Sequence, residues 1–346
     1  MQRVKVGVAG VGKLGRYHAL NYKQIPQMEL AGLYDVNVEL GKKVAAELEV
    51  PFFDKYEDLL QHVEAVSVAV PTSAHHRIAT QALEQGIHVF VEKPIAATLD
   101  EADKLIQCAA QNALILQVGH IERFNPAFRS LVPEELQPMF IESHRLAPFN
   151  PRGTDVAVVL DLMIHDIDLI LKLVKSPIKQ INANGVAIVS RQEDIANARI
   201  QFANNCVANL TASRISLKKM RKMRLFQKDA YITMDFIQGV TEIYHLKSYQ
   251  PTQPEEEQWI DEKKVDFSEY SPLVWGEVQH NGIKKRIVYE KRQPEQENAL
   301  KLELQSFIKA IREKTLPPVT GEDGRNALKV AFQILEQIHS HYYEIE

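Results

Sequence analysis

The sequence predicts two domains, an α/β domain with a doubly wound parallel sheet and then an α+β domain on an open, largely antiparallel sheet. Three observations predict this. Up to about residue 120, short and nearly all-apolar runs alternate with helix-period stretches, and such runs are strands buried on both faces, as in a parallel sheet covered by helices. Between the first run and the first helical stretch stands Gly10-Val11-Gly12-Lys13-Leu14-Gly15. Beyond about residue 150, strand-like segments follow one long helical stretch, the pattern of a helix packed across an antiparallel sheet. The chain of 346 residues also exceeds the usual size of one hydrophobic core. The expected division is 1–120 and 121–346, with the C-terminal helices able to pack back on the first part.

In the first part the expected strands are 4–8, 30–34, 65–70, 89–91 and 114–118, with helices starting near Leu14, Val38, Ala74 and Leu99. A proline-marked turn region follows, with Pro126, Pro133, Pro138, Pro148 and Pro151. Helical spacing of Val159, Leu160, Met163, Ile167, Ile170 and Leu171 predicts one long helix over 156–174, closed by Ser176-Pro177. Strands are expected at 185–189, 198–202, 207–213, 223–227, 230–235, 241–245 and 285–289. Residues 247–282, rich in Pro, Gln and Glu, read as an excursion from the core. Helices at 297–313 and 322–343 end the chain.

Composition narrows the function classes. With 45% apolar and 25% charged residues the chain is that of an ordinary soluble protein. A formal charge of -4 gives no long-range reason to bind nucleic acid, and no apolar run reaches the ~20 residues that span a bilayer. The N-terminus lacks a charged leader and a cleavage site, and Cys108 and Cys206 are too few for a disulfide framework. A cytoplasmic protein is expected. The basic cluster Lys218, Lys219, Arg221, Lys222 and Arg224 reads as a solvated segment, with contact to an anionic ligand as the alternative.

The glycine cluster carries the first chemistry. Gly10 suits the tight turn, Gly12 the close approach of a pyrophosphate and Gly15 the packing of helix on strand. The helix N-terminus at Lys13 and Leu14 offers N–H groups and a positive dipole end. Asp35 follows twenty residues after Gly15 at the end of the next strand, placed to accept from ribose hydroxyls. That carboxylate repels a 2′-phosphate and Val36-Asn37 supplies no arginine, so NAD is expected over NADP. Pro71, Thr72 and His75 follow another central strand at the same edge and are candidate cofactor neighbours, although Thr72 serves equally as a helix cap.

Two further groups carry the reaction. Glu92 and Lys93 leave a strand at that edge in Glu92-Lys93-Pro94. A lysine there, away from bulk water, stabilises an alkoxide or passes a proton, while Glu92 holds the cofactor or orients the amine; a surface ion pair is the plain alternative. On the long helix Asp161 and His165 stand at i and i+4 and share a face among apolar residues, as a carboxylate orienting a general base would. Metal binding by His165, Asp166 and Asp168 is disfavoured because adjacent helix positions do not converge on one ion, and no metal is expected.

Together, Gly10-x-Gly12-x-x-Gly15-x-x-His18, Glu92-Lys93-Pro94 and the D-x-x-x-H of Asp161 and His165 resemble the Gfo/Idh/MocA family of NAD(P)-dependent sugar oxidoreductases. The resemblance implies a Rossmann domain, a second domain whose sheet forms a homodimer or homotetramer contact, and hydride transfer at a sugar carbon. Within the family, 117–126 and 151–156 are similar to members that oxidise the 3-hydroxyl of UDP-N-acetylglucosamine, whose keto product is aminated for lipid A. On that likeness Arg123, Asn125 and Arg152 become candidates for sugar or diphosphate contacts, since a guanidinium fork binds two phosphate oxygens. Lys93 and His165 are expected to flank one reacting carbon. Rival expectations are oxidation of another sugar, an inositol or a UDP-uronic acid, and a dinucleotide sensor without turnover. A DNA-binding repressor is disfavoured by the lack of a basic domain.

Overall fold

A computed structural model of the protein describes residues 3–150, 156–248, 273–280, 283–295 and 297–342. The chain divides into two compact units, Met1–Phe124 with Glu297–Val330, and Asn125–Gln296 with Ala331–Glu346.

In the first unit, strands β1 (Val4–Ala9), β2 (Met28–Tyr34), β3 (Ala65–Val68), β4 (His88–Glu92) and β5 (Leu116–Gly119) form an all-parallel sheet in the order β2-β1-β3-β4-β5. Because β2 and β3 lie on opposite sides of β1, the chain switches direction there, and the carboxyl ends of β1, β3 and β4 share one edge. Helices α1 (Lys13–Tyr22), α2 (Val38–Leu48), α3 (Tyr56–Leu60), α4 (Thr72–Glu84) and α5 (Leu99–Gln111) connect the strands. Local chemistry starts two of them: Asn37 Oδ1 accepts from Leu40 N–H, and Thr98 Oγ1 from Glu101 N–H. The four-residue periodicity of α8 (Ala299–Glu313) buries Leu304, Phe307 and Ile308 in the core of Val6, Phe90 and Leu33, with the Phe90 and Phe307 rings 5.8 Å apart.

The second unit contains α6 (Pro126–Arg129), β6 (Phe140–Leu146), α7 (Ile164–Leu173), β7 (Ile178–Val186), β8 (Ile195–Phe202), β9 (Val207–Ser213), β10 (Met220–Gln227), β11 (Ala230–Asp235), β12 (Val240–Ser248), β13 (Leu273–His280) and β14 (Ile283–Arg292). The strand order is β13-β14-β12-β11-β10-β6-β9-β8-β7, antiparallel throughout except for the β6–β9 pair. The last helix, α9 (Gly321–Tyr342), contributes residues to both units.

Four expectations need correction. The proline-marked region contains β6, a central strand; its inward positions are Ile141, Ser143 and Arg145, so two polar residues hide the period-two apolar pattern. Strand β7 starts at Ile178, before the expected 185–189, and ends at Val186, because Ile178-Lys179-Gln180-Ile181 is a polar edge segment with little apolar signal. Residues 273–280 of the expected excursion form β13, while 249–272 lie outside the described residues. The long helix is not uniform: Val159–Met163 is a π-helical turn, followed by α7.

A row of aromatic side chains crosses six neighbouring strands. Ring centroids are 5.9 Å apart for Phe140 and Phe226, 4.9 Å for Phe226 and Tyr231, 5.6 Å for Tyr231 and Tyr244, and 5.0 Å for Tyr244 and Tyr289, with Trp275 5.8 Å beyond Tyr289. Directly opposed cross-strand pairs of this kind set register as well as packing.

The turn from β7 to β8 closes around a fully buried carboxylate. Asp194 Oδ2 accepts from the N–H groups of Ile188, Val189 and Ser190 at 2.8, 2.6 and 2.9 Å, and Oδ1 from Ser190 Oγ at 2.7 Å. Burial raises this carboxyl, but the hydrogen bonds from Ser190, Val189 and Ile188 outweigh it and hold the group well below the usual carboxylate range. Its stabilisation is therefore complete above the unfolded value of about 3.9 and lost as pH falls toward the folded one. Asp194→Asn, which exchanges acceptors for an N–H₂ group, is expected to cost about 2–4 kcal/mol, read as a lowered midpoint of thermal unfolding at neutral pH.

Candidate active site

The loop after β1 is shaped by what glycine lacks. Gly10 has φ +86°, and a Cβ there would meet the Ala69 carbonyl oxygen at 2.7 Å. At Gly15 a Cβ would lie 1.7 Å from the Gly10 carbonyl oxygen, so α1 can cross the loop this closely only without a side chain. Gly12 differs: no protein atom comes within 4 Å of its added Cβ. Nothing within the fold demands a glycine there, and the space lies at the N-cap of α1, where no side chain caps the helix. An open cradle facing uncapped N–H groups fits the pyrophosphate of a dinucleotide. Gly12, Lys13 and Leu14 are exposed beside it.

Asp35 is buried and latches this loop. Its Oδ2 accepts from Val11 N–H at 2.7 Å and its Oδ1 from Asn37 N–H at 2.8 Å. Each carboxylate oxygen has a second lone pair, so the residue orders the cradle while remaining able to accept from a ribose. At the end of β3, Pro71 is the N-cap of α4 and Thr72 its first residue, without a side-chain cap bond, which removes the capping role considered for Thr72. His75 is buried between two loops: Nδ1 lies 2.9 Å from the Pro94 carbonyl oxygen and Nε2 2.9 Å from that of Val70. Burial pushes its pKa down against the pull of both carbonyls. Its geometry ties the end of β3 to the turn after β4.

Glu92 and Lys93 are half-buried at the end of β4. Glu92 Oε1 accepts from His18 Nε2 at 2.8 Å, and its carboxylate leaves no room at Gly119, where a Cβ would approach Oε2 to 2.9 Å. Burial raises Glu92, but the hydrogen bond and charge of His18, with the charges of Lys93 and His75, bring it below its ordinary value.

In the second unit, α7 is anchored through Asp166, which takes a bidentate bond from Arg145 of β6 at 3.0 and 2.7 Å with both side chains buried. That ion pair commits Asp166 to the fold. On this otherwise buried segment Leu160, Asp161, Leu162 and His165 are half-exposed, whereas Met163, Ile164, Asp166, Ile167 and Asp168 are buried. Asp161 and His165 thus share an accessible stripe, with Asp161 inside the π turn, a feature frequent at functional sites.

Two proposed substrate contacts have internal duties. Arg123 donates to the Pro318 carbonyl at 3.2 Å and pairs with Asp323 at 3.3 Å, its side chain buried. Asn125 caps α6, accepting from Ala127 N–H at 3.1 Å and donating to the Phe236 carbonyl at 2.9 Å. Arg152 lies outside the described residues. In the basic cluster, Lys222 pairs with Asp235 at 3.2 Å and Arg224 with Glu142 at 3.5 Å, so two of its charges have acidic partners within the sheet.

Residues 4–120 match the oxidoreductase family with an NAD-binding Rossmann fold, and residues 119–233 match the GFO/IDH/MocA C-terminal domain. The chain belongs to the Gfo/Idh/MocA oxidoreductase family. It is similar to the UDP-N-acetylglucosamine 3-dehydrogenase of Acidithiobacillus ferrooxidans, 43% identical over 246 residues that cover 71% of this chain and 78% of that protein. The solved structure of that bacterium's UDP-N-acetylglucosamine 3-dehydrogenase GnnA superposes with a TM-score of 0.83 at 35% identity, over 98% of this chain and 99% of the other. The scyllo-inositol 2-dehydrogenase (NAD(+)) of Bacillus subtilis is 28% identical over 233 residues, 62% of this chain and 68% of its own. A Lactobacillus casei scyllo-inositol dehydrogenase solved with NAD(H) shares the fold, with a TM-score of 0.74 at 22% identity over 98% of each chain.

As a Gfo/Idh/MocA oxidoreductase, the chain has one helix face whose polar residues the sequence reading gave no role. Gly15, His18, Ala19 and Tyr22 form the buried face of α1. Their spacing was a usable signal, because i, i+3, i+4 and i+7 share a helix face and two of the four are polar. The glycine geometry also separates fold from ligand. Gly12→Ala is expected to keep the unfolding midpoint within about 2 °C while weakening NADH binding at least about tenfold by fluorescence titration; Gly15→Ala is expected to lose the folded state.

Proposed function

We propose that this oxidoreductase uses NAD to oxidise the 3-hydroxyl of a UDP-N-acetylhexosamine, UDP-N-acetylglucosamine first, to the 3-keto sugar. The observation that carries this is the likeness to a UDP-N-acetylglucosamine 3-dehydrogenase along 98% of the chain. Asp35 behind the glycine loop, followed by Val36 and Asn37, favours NAD, since a buried carboxylate repels a 2′-phosphate and no arginine follows to receive one. Two free cysteines are consistent with a cytoplasmic setting. Among the described residues no helix is long and apolar enough to cross a membrane.

NAD, when bound, supplies the hydride acceptor. Gly10, Gly12, Lys13, Leu14, Gly15 and Asp35 hold it, with Pro71, Thr72 and Glu92 along the same strand-end edge. His165, oriented by Asp161, takes the proton of the sugar hydroxyl, and Lys93 stabilises the oxygen left as the C–H bond gives up its hydride. The half-exposed aromatic row of the large sheet supports a homodimer or homotetramer through that face.

Incubation with NAD and a panel of UDP-sugars, free sugars and inositols is expected to give reduced-nicotinamide absorbance only with the UDP-N-acetylhexosamines; equal rates without UDP overturn the substrate. Lys93→Met and His165→Asn are each expected to lower kcat at least about 100-fold with NADH affinity retained, and wild-type turnover in either removes that residue from the reaction. Phe226→Glu is expected to lower the mass measured by light scattering, and an unchanged mass places the subunit contact elsewhere.

A further inference from the structure

The buried face of α1 points toward the end of β4, not toward the cradle. His18, Ser67 and Tyr22 are 0%, 0% and 1% exposed and have no part in binding or chemistry as described so far. They form one chain of hydrogen bonds. Tyr22 Oη lies 2.5 Å from Ser67 Oγ, Ser67 Oγ lies 3.3 Å from His18 Nδ1, and His18 Nε2 lies 2.8 Å from Glu92 Oε1. An ionised carboxylate only accepts, so His18 Nε2 donates to Glu92, while the Ser67 hydroxyl, able both to donate and to accept, bridges His18 Nδ1 and Tyr22 Oη.

The hydrogen-bond chain ends in the interior at Tyr22. Tyr22 is almost fully buried, burial pushes its phenol up despite the bond to Ser67, and its other acidic neighbours are Glu303 of α8 and Glu92. What the hydrogen-bond chain can do is hold one ring in one orientation against one carboxylate. The groups facing that carboxylate are His18 from α1, His75 from α4, Lys93 from the end of its own strand, and the bare Cα of Gly119 from β5. Among these, His18 gives Glu92 its hydrogen bond at 2.8 Å, while Phe90 presses edge-on against the ring at 5.3 Å between centroids.

We propose that His18 is a positioning residue: aligned by Ser67 and Tyr22, its Nε2–H keeps Glu92 an anion in the interior, and that anion holds the neighbouring Lys93 amine as an ammonium. The link to turnover rests on the role assigned to Lys93 above; the effect on Glu92 does not.

The test compares two replacements that do not titrate, His18→Gln, which keeps an N–H donor, and His18→Leu, which has none. Without a donor, burial dominates and the folded pKa of Glu92 rises above its unfolded value of about 4.3, so stability present in acid is lost as pH rises. The unfolding midpoint of His18→Gln is expected to exceed that of His18→Leu by a margin that widens by about 3 °C or more from pH ~4.5 to pH ~7.5. In a Glu92→Gln background the margin is expected to stay constant. A constant margin with Glu92 present, or equal widening with Gln at 92, reduces His18 to a packing residue and overturns the proposal. Ser67→Ala, which keeps the ring but loosens it, is expected to show a smaller shift of the same sign against wild type and serves if the leucine variant does not fold. In activity, one limb of kcat/KM against pH is expected to move down by about one unit in His18→Leu and to return in His18→Gln. An enzyme inert toward every sugar would remove the role of Lys93 and leave the stability comparison to decide the charge of Glu92.

Discussion

The nucleotide-binding unit depends on how closely α1 crosses the end of β1. A hydrogen in place of a side chain at Gly15 lets the helix rest on the Gly10 carbonyl, where a Cβ would be 1.7 Å away. That approach fixes the helix axis, and the axis does two things. It aims uncapped N–H groups at the open space beside Gly12, and one turn later it lays His18 and Tyr22 into the sheet against Glu92 and Ser67. Cofactor cradle and buried polar chain are thus opposite consequences of one contact, and both reach the strand-end edge that carries Lys93.

The second unit is organised by buried charge. Arg145 on a central strand and Asp166 on α7 would each be costly to bury alone, so each requires the other, and their bidentate geometry sets where the helix lies along the sheet. Asp194 acts likewise at the β7–β8 turn: the Glu193 carbonyl beside it accepts from Val158 N–H, which ties the turn to the start of the π segment. With those anchors in place, Asp161 and His165 remain on the accessible stripe of a segment that is otherwise interior.

Legibility in the sequence followed the range of the interaction. All five strands of the first sheet were readable, because both faces of each are covered and nearly every residue is apolar. Strand β6 was missed for the converse reason, since its inward residues include Ser143 and Arg145, whose suitability depends on a helix twenty residues away. The glycines of the cradle were assigned by their spacing. That Gly12 differs in kind from Gly10 and Gly15 emerged only when the surrounding atoms were in place. The internal partners of Arg123 and Asn125 were not legible, because an arginine or asparagine in a loop carries no local mark of one.

By itself, then, the sequence determined the five strands of the first sheet, the fold class and the family, all of which are written in periodicity, turn chemistry and short motifs that neighbouring residues satisfy among themselves. The tertiary structure alone decided that Arg123 belongs to Asp323, Asp166 to Arg145, and Glu92 to His18. Those partners lie 200, 21 and 74 residues apart along the chain. A buried polar group must find a partner, but nothing in its local sequence says which, because the choice is made only when packing brings distant segments within hydrogen-bond reach.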